Sequence, residues 1–381
     1  MPLFLTRCWS LVLCVIALST HFSYAIEDDD VSDLEKFCSA HTQTSIALSM
    51  LEHSSPKGSS SYKKLGKLLN SFSHFHVDFI FGLGELGLFE GVAQNLSQMM
   101  QGYGLKKSKD SNNPNAIVFT SAFLNSNGRK LILDENRGVI IVQTEQLCCS
   151  NWLSEDVVRN LEVCEESDNC IILEYSDNNY QYMKEELKVS KSVVLLPVML
   201  QGRLDRYYRR HHLPANWERS IDIAFFGTLT EHRKSALKTI ENPNPTNPEW
   251  ETAMEQSHDK LKIVQTYLHS KVCLTVHAFP QKGPGEYHRL SELGVSGCVP
   301  VMERFEDTLG MQVYKLCGGV VFGDVEELPD QIASILEQID VDEEEQDDSM
   351  RRRVEWWKAR VNWASILVEA FGGTSRENIE L

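Results

Sequence analysis

Short runs of uninterrupted apolar residues alternate along most of this chain with stretches whose apolar positions recur every three to four residues. The runs FHVDFIFG (75–82), NAIVFTSAF (115–123), GVIIVQTEQL (138–147), CIILEYS (170–176) and SVVLLPVML (192–200) predict strands. LFEGVAQNLSQMM and the segments 152–163 and 178–187 predict helices between them. Near-continuous apolar strands separated by amphipathic helices indicate an α/β fold with a parallel sheet covered on both faces. A basic, aperiodic stretch, 201–220, predicts a linker, after which a second set begins. Its strands are IDIAFFG (221–227), KVCLTVH (271–277), CVPVM (298–302) and GVVFG (319–323). Its helices cover 231–240, 249–269, the segment from Glu286, and ELPDQIASILEQI, with a Pro/Asn loop at 241–249. The run DVDEEEQDD (340–348) predicts an acidic, solvated break before a long final helix, 351–371. Trp356, Trp357 and Trp363 fall on the apolar stripes of that helix, where aromatics serve packing.

The N-terminal end has a different pattern. Arg7 precedes the apolar stretch Cys8 to Leu18, and a more polar run ends Ser23-Tyr24-Ala25 before acidic IEDDD. This is the layout of a secretory signal, too short in its apolar part to span a bilayer comfortably. No later segment is long and apolar enough to cross a membrane. The expected division is a signal peptide at 1–25, a helical or flexible segment at 26–74 and an N-terminal domain at 75–210. A C-terminal domain at 211–345 and a terminal helix and tail at 346–381 complete it. The 381 residues suit two domains of ordinary size, and 42% hydrophobic content is ample for packed cores. Entry into the secretory pathway places the cysteines in an oxidising lumen. Cys164 and Cys170 flank a short acidic loop and are candidates to pair, while Cys273 and Cys298, in apolar runs, read as buried small hydrophobes. No CxxC or Cys/His spacing suggests zinc, and no metal is expected. The net charge of −17 argues against nucleic acid or anionic lipid as the main partner. One sequon, Asn95-Leu96-Ser97, predicts a glycoprotein if exposed.

Candidate chemistry gathers at strand ends. In HAFPQKGPGEYHRLSELGVSGCVPVM (277–302), Glu286, Arg289 and Glu292 recur every three residues and share a helix face just beyond a strand. Two carboxylates and a guanidinium there suit a sugar-rich, phosphate-bearing ligand, or else form a solvated ion-paired surface. In IDIAFFGTLTEHRKSAL (221–237), Gly227 allows close backbone approach, the helix start favours anions, and Arg233 and Lys234 add positive charge. Glu145 and Gln146 end a third strand; a carboxylate there serves as a general base or a hydroxyl clamp. Ser176 or Asp177, after the next strand, predicts a helix N-cap. GLGELG (82–87) has the G-x-G-x-x-G spacing, but no strand ending in Asp or Glu follows at the usual distance, so a tight strand-to-helix turn competes with a dinucleotide site.

Four segments in order carry a resemblance. FFGTLTEHRKSAL resembles the FYGSLNxRR-type segment of GT-B glycosyltransferases, in particular the spore-maturation-type, glycosyltransferase family 1-like group. LTVH…EYHRLSELGVSGCVPV resembles that group's LNLH…E-x-x-R-x-x-E-x-x-x-x-G segment, and TEQL and EYSDNN resemble its EQ and YS-x-x-N segments. The resemblance implies two Rossmann-like domains facing a cleft, with a C-terminal helix returning to the N-terminal domain. It implies transfer of a sugar from a nucleotide-sugar substrate to a glycan, glycoprotein or small-molecule acceptor hydroxyl, with no cofactor, and the signal layout at the N-terminal end sets that expectation in the secretory pathway. Under it, Gly227 and Arg233 hold the donor diphosphate, Arg289 the phosphate side, and Glu292 the ribose hydroxyls. His277 faces the transferred sugar or a phosphate, Glu286 lies on the sugar side, and Glu145 sits across the cleft. Three departures stand out. Glu286 and Glu292 are six residues apart rather than the eight of the common retaining pair, His232 replaces a usual second arginine, and 241–262 lacks an expected strand. The departures keep a non-catalytic binding protein of the same fold as an alternative, and GLGELG keeps an oxidoreductase.

Overall fold

A computed structural model describes residues 51, 55–77, 90–110, 112–121, 126–134, 136–143, 147, 155–195, 208, 211–241, 250–255, 259–278, 287–305, 314–315, 317–341, 343–358, 367–368 and 370–371. In the first half, α1 (Ser60–Ser71) leads into β1 (His74–Val77), α2 (Glu90–Tyr103) and the two-residue β2 (Lys106–Lys107). Then come β3 (Ala116–Ser121), α3 (Ser126–Ile132), β4 (Gly138–Gln143), α4 (Glu155–Glu166), β5 (Cys170–Glu174), α5 (Asp177–Glu185) and β6 (Val193–Leu195). These strands form one sheet in the order β2-β1-β3-β4-β5-β6, every pairing parallel. Alternate residues feed the two faces: Ile140 and Val142 join one core with Leu68 and Met100, and Val139 and Ile141 join the other with Leu161 and Met183.

The second half repeats the plan. Its elements are β7 (Ile221–Phe226), α6 (Glu231–Glu241), β8 (Thr252–Glu255), α7 (Lys260–Leu268), β9 (Ser270–Thr275) and α8 (Tyr287–Ser296). β10 (Val299–Glu303), β11 (Val321–Gly323), α9 (Leu328–Val341) and α10 (Glu343–Lys358) follow. The sheet order is β11-β10-β9-β7-β8, again parallel throughout. Each sheet therefore reverses its strand order once, between β1 and β3 and between β7 and β9. The chain is thus an α/β protein built on two parallel, doubly wound sheets.

Four expectations are corrected. The strand that 241–262 was expected to lack is present as β8, an edge strand with half-buried and exposed positions. Its TAME sequence has too little apolar run to be told from a helix, so the expected helix over 249–269 shortens to α7, which Asp259 caps through Leu261 N and Lys262 N. The acidic run is not a solvated break: most of it opens α10, and buried Asp347 accepts a hydrogen bond from Asn216 N at 2.8 Å. Cys273 and Cys298 are not free hydrophobes but a disulfide tying β9 to the residue before β10. Parallel pairing sets Cys273 opposite Pro300, two residues beyond Cys298, which brings the thiols within reach. The expected Cys164–Cys170 bridge is present, and Cys317 is disulfide-bonded as well.

The stretch before β7 is more than a connector. Tyr208 lies in the core of the second sheet, and buried Arg219 donates to Ser270 O at 2.8 Å and Ser296 O at 3.2 Å. Burial lowers the Arg219 pKa to about 10. Gly297, at φ +83°, lets the chain turn under this guanidinium; a β-carbon there would lie 2.6 Å from Arg219 Nη2.

The C-terminal described residues divide their contacts between the two sheets. Trp356 and Trp357 pack on the second sheet's core, with Trp357 stacked on Tyr314 and donating from Nε1 to Gly318 O. Leu367 and Phe371 join the core of the first sheet, and the Phe371 ring lies 4.6 Å from that of Tyr62 on α1. The C-terminal end thus returns to the first half. Trp363 lies outside the described residues. The sequon falls in the middle of α2, with Leu96 and Ser97 buried.

Candidate functional site

In open parallel sheets the ligand crevice lies beyond the carboxyl ends of the strands, where the strand order reverses. In the second sheet that point falls between the ends of β7 and β9, at Gly227 and His277. Two helices aim basic side chains at it. On α6, Arg233, Ala236, Leu237 and Ile240 are buried at helical spacing, so an arginine occupies a position on the apolar stripe. Its guanidinium stands over the Phe225 ring, 5.7 Å from the centroid, and donates from Nε to Val276 O at 2.8 Å and from Nη1 to Thr228 O at 3.1 Å. From α8, on the other face of the sheet, Arg289 donates from Nη1 to Phe226 O at 2.8 Å. Both guanidinium groups converge on Gly227. A methyl group added there would lie 2.9 Å from Arg289 Nη1 and 3.2 Å from Arg233 Nη1. A side chain at 227 would push two cations apart, and glycine lets them approach the backbone.

Glu292 follows Arg289 by one helical turn and is buried. His277, just past β9, is also buried, its main-chain N donating to Glu303 Oε2 at 2.8 Å. Glu303 ends β10, and its other oxygen meets His232 Nε2 at 2.9 Å. Thr230 completes the edge by donating to Ala278 O at 2.6 Å. One carboxylate thus fastens the ends of β9 and β10 to the first turn of α6. The structure therefore brings Gly227, Arg233, Arg289 and His277 to one strand edge, with Glu292 on the helix that delivers Arg289. Glu286, Glu145, Gln146 and GLGELG lie outside the described residues.

Sequence reasoning missed Glu303 as a member of this site. The signal was available: a lone carboxylate directly after an apolar strand, the logic that singled out Glu145. His232 drew attention only as a substitution for arginine, because its partner is 71 residues away. On the first sheet, the ends of β4 and β5 place buried Gln143 opposite buried Glu174. Glu174 Oε1 accepts from Tyr175 N and Ser176 N, both at 2.9 Å. Asn179 donates to the same carboxylate and accepts from Leu147 N at 3.0 Å, which fixes the chain just after residues 144–146. Ser176 caps α5, as expected, accepting from Asn179 N. Among the described residues no three His, Cys, Asp or Glu side chains gather as a ligand set for a metal. No described helix is long and apolar enough to cross a membrane.

Twin parallel sheets, each with a polar carboxyl edge, define the class of protein. No protein-family model matches the sequence, and no curated protein matches it either. Solved structures similar to it include an alpha-glucosyltransferase in complex with UDP, at 13% identity over 78% of this chain and 98% of that one, TM-score 0.48. A T4 phage enzyme in complex with its UDP-glucose substrate is similar at 12% identity over 78% and 97%, TM-score 0.45. Sucrose-phosphate synthase from Thermosynechococcus elongatus is similar at 12% identity over 66% and 71%, TM-score 0.43. Identities this low say nothing of chemistry, which rests on the residues themselves.

Proposed function

We propose that this protein is a glycosyltransferase of GT-B type, moving a sugar from a nucleotide-sugar donor to an acceptor hydroxyl. The observation that carries the reading is the convergence of Arg233 and Arg289 on Gly227 at the strand-order reversal of the second sheet. Two guanidinium groups beside a bare backbone suit a diphosphate, which a glycine allows to approach closely. In transfer, the same groups would stabilise the charge that develops on the leaving nucleoside diphosphate, supplied without a metal. Glu292 would take the ribose hydroxyls, and Glu145 and Glu286 the acceptor and sugar sides. The N-terminal signal-like segment and the disulfides support a lumenal or secreted location.

Thermal stabilisation across a panel of UDP- and GDP-sugars tests the reading, because a ligand that binds the folded state raises its melting temperature. At least one donor is expected to stabilise the protein and release its nucleoside diphosphate on incubation. Arg289→Ala should weaken that donor roughly tenfold to a hundredfold, the worth of a charged hydrogen bond. A panel with no stabilising member would defeat the proposal.

A further inference from the structure

We infer that the amino edge of the first sheet carries a separate binding site, one that takes a basic peptide segment bearing large apolar side chains. A groove of about 760 Å³ opens there, at the opposite end of the strands from Gln143 and Glu174. That volume falls within the roughly 300–1,000 Å³ of ligand pockets. Three helices finish at the groove: α1 at Ser71, α3 at Ile132 and α4 at Glu166. Its floor is formed by Leu68, Phe72, Ile132 and Val163. Gly138, the first residue of β4, lets that floor form, since a β-carbon there would lie 2.8 Å from the Phe72 ring and 3.0 Å from Leu68 Cδ2. Leu133 carries the apolar surface out to the rim, where it is 63% exposed. A continuous apolar surface bordered by polar groups marks an interaction site, unlike a leucine scattered singly on a surface.

The rim selects the charge of the occupant. Glu166 and Asp168 are exposed along it, and neither has a salt-bridge partner among the described residues. α1 ends beside them with no basic residue in its last turn, so the negative end of its dipole adds to the carboxylates. The two lysines nearby are engaged elsewhere. Lys64 donates to Glu165 O at 3.0 Å, Ser167 O at 2.7 Å and Ser192 Oγ at 2.7 Å. Lys67, on the rim, donates to Asn169 Oδ1 at 3.3 Å. The rim is also held in place before any ligand arrives. The Cys164–Cys170 disulfide closes the loop that bears both carboxylates. The Glu165 side chain accepts from the main chain of Ser190, Lys191 and Ser192 at 2.8–3.0 Å, and Ser167 Oγ donates to Ile132 O at 3.4 Å. A fixed rim spares the ordering cost of binding. A peptide that seats a leucine or phenylalanine on the floor brings its neighbouring residues to this rim. Lysine or arginine there lays an apolar stem on Leu133 and presents its charge to Glu166 and Asp168. The net charge of −17 adds long-range attraction for such a partner.

Three acetylated and amidated peptides, Arg-Leu-Phe-Arg, Glu-Leu-Phe-Glu and Arg-Ser-Ser-Arg, test the site by titration into nitrogen-15-labelled protein. Arg-Leu-Phe-Arg is expected to bind with about millimolar affinity or better and to shift the amides of Leu133, Glu166 and Asp168. Added salt should weaken it, because exposed charges are screened. The double variant Glu166→Gln, Asp168→Asn alters two exposed side chains, so its fold should be intact and its affinity for this peptide about fivefold lower. Glu326→Gln with Glu337→Gln removes the same charge at exposed positions in the second half and should change nothing. Leu133→Ala should also weaken binding, by about threefold, with no change of charge. Equal binding of Glu-Leu-Phe-Glu would make the groove an apolar surface without charge preference, and equal binding of Arg-Ser-Ser-Arg would reduce it to surface electrostatics. Either result overturns the assignment, as do binding of none of the three peptides, shifts confined to other parts of the chain, or full affinity in the Glu166→Gln, Asp168→Asn variant. None of these measurements involves a nucleotide sugar, so the donor-site reading stands or falls separately.

Discussion

At the scale of single residues, the second sheet's carboxyl edge depends on side-chain identities that leave little slack. Gly227→Ala places a methyl group 2.9 Å from Arg289 Nη1, 3.2 Å from Arg233 Nη1 and 3.0 Å from Phe225 Cζ. The ends of two arginines shift more readily than a packed core, so the variant should stay folded. Its nucleotide affinity should fall by about tenfold or more, because the cations no longer meet over the backbone. A large fall in melting temperature with unchanged affinity would show that the glycine serves packing instead. Glu292 invites a different comparison. If it takes the ribose hydroxyls, Glu292→Ala should erase a roughly tenfold preference for UDP over 2′-deoxy-UDP, since a lost bidentate partner is felt only where the hydroxyl exists. Competition binding with the two nucleotides checks this, and a retained preference assigns the ribose elsewhere. Much of this edge is legible from sequence, because glycine, arginine and glutamate stand just beyond apolar runs. His232 escapes the same reading, because its partner Glu303 is 71 residues away and only the side-by-side β7-β9-β10 edge brings the two together.

At the scale of elements, legibility follows the strength of the apolar pattern. Buried central strands such as β4 and β5, each with four consecutive apolar residues, are plain in the sequence. The edge strand β8 is not, because TAME offers neither an apolar run nor strict alternation. The acidic opening of α10 reads as solvated loop for a similar reason: its charge masks the one inward carboxylate, Asp347, that ties it to Asn216. Pairing register explains what composition hides in the Cys273–Cys298 bridge, which closes a 25-residue interval spanning α8 and the candidate site's basic arm. For an interval of that size, loop-closure entropy gives a stabilisation of roughly 3–4 kcal/mol. The double variant Cys273→Ser, Cys298→Ser should lower the urea midpoint accordingly, with the m-value little changed. An unchanged midpoint would mean that strand pairing between β9 and β10 already holds the two elements without the bond.

At the scale of the whole molecule, the chain's last described residues couple the two sheets through sequence rather than through a shared core. α10 packs Trp356 and Trp357 on the second sheet, and Leu367 and Phe371 then belong to the first. Phe371 lies against Gly66 of α1, where a β-carbon would come 3.0 Å from its ring, and beside Tyr62. Asn70 also reaches the Phe371 carbonyl. Removing residues 359–381 therefore strips apolar cover from α1 and the face of the first sheet it shares with Met100, Ile140 and Ile171. Leu367 is 1% exposed, and burying such a side chain is worth about 1.5–3 kcal/mol. The second sheet keeps its tryptophans, since both precede the cut. Native-state hydrogen exchange should then show lost protection in β3, β4 and β5, with β7, β9 and β10 changed far less, because local stability follows local burial. Phe371→Ala should reproduce the effect more weakly, as it leaves Leu367 in place. Uniform loss of protection in both sheets would instead mean that the two halves unfold as one cooperative unit, with the returning segment as the bond between them.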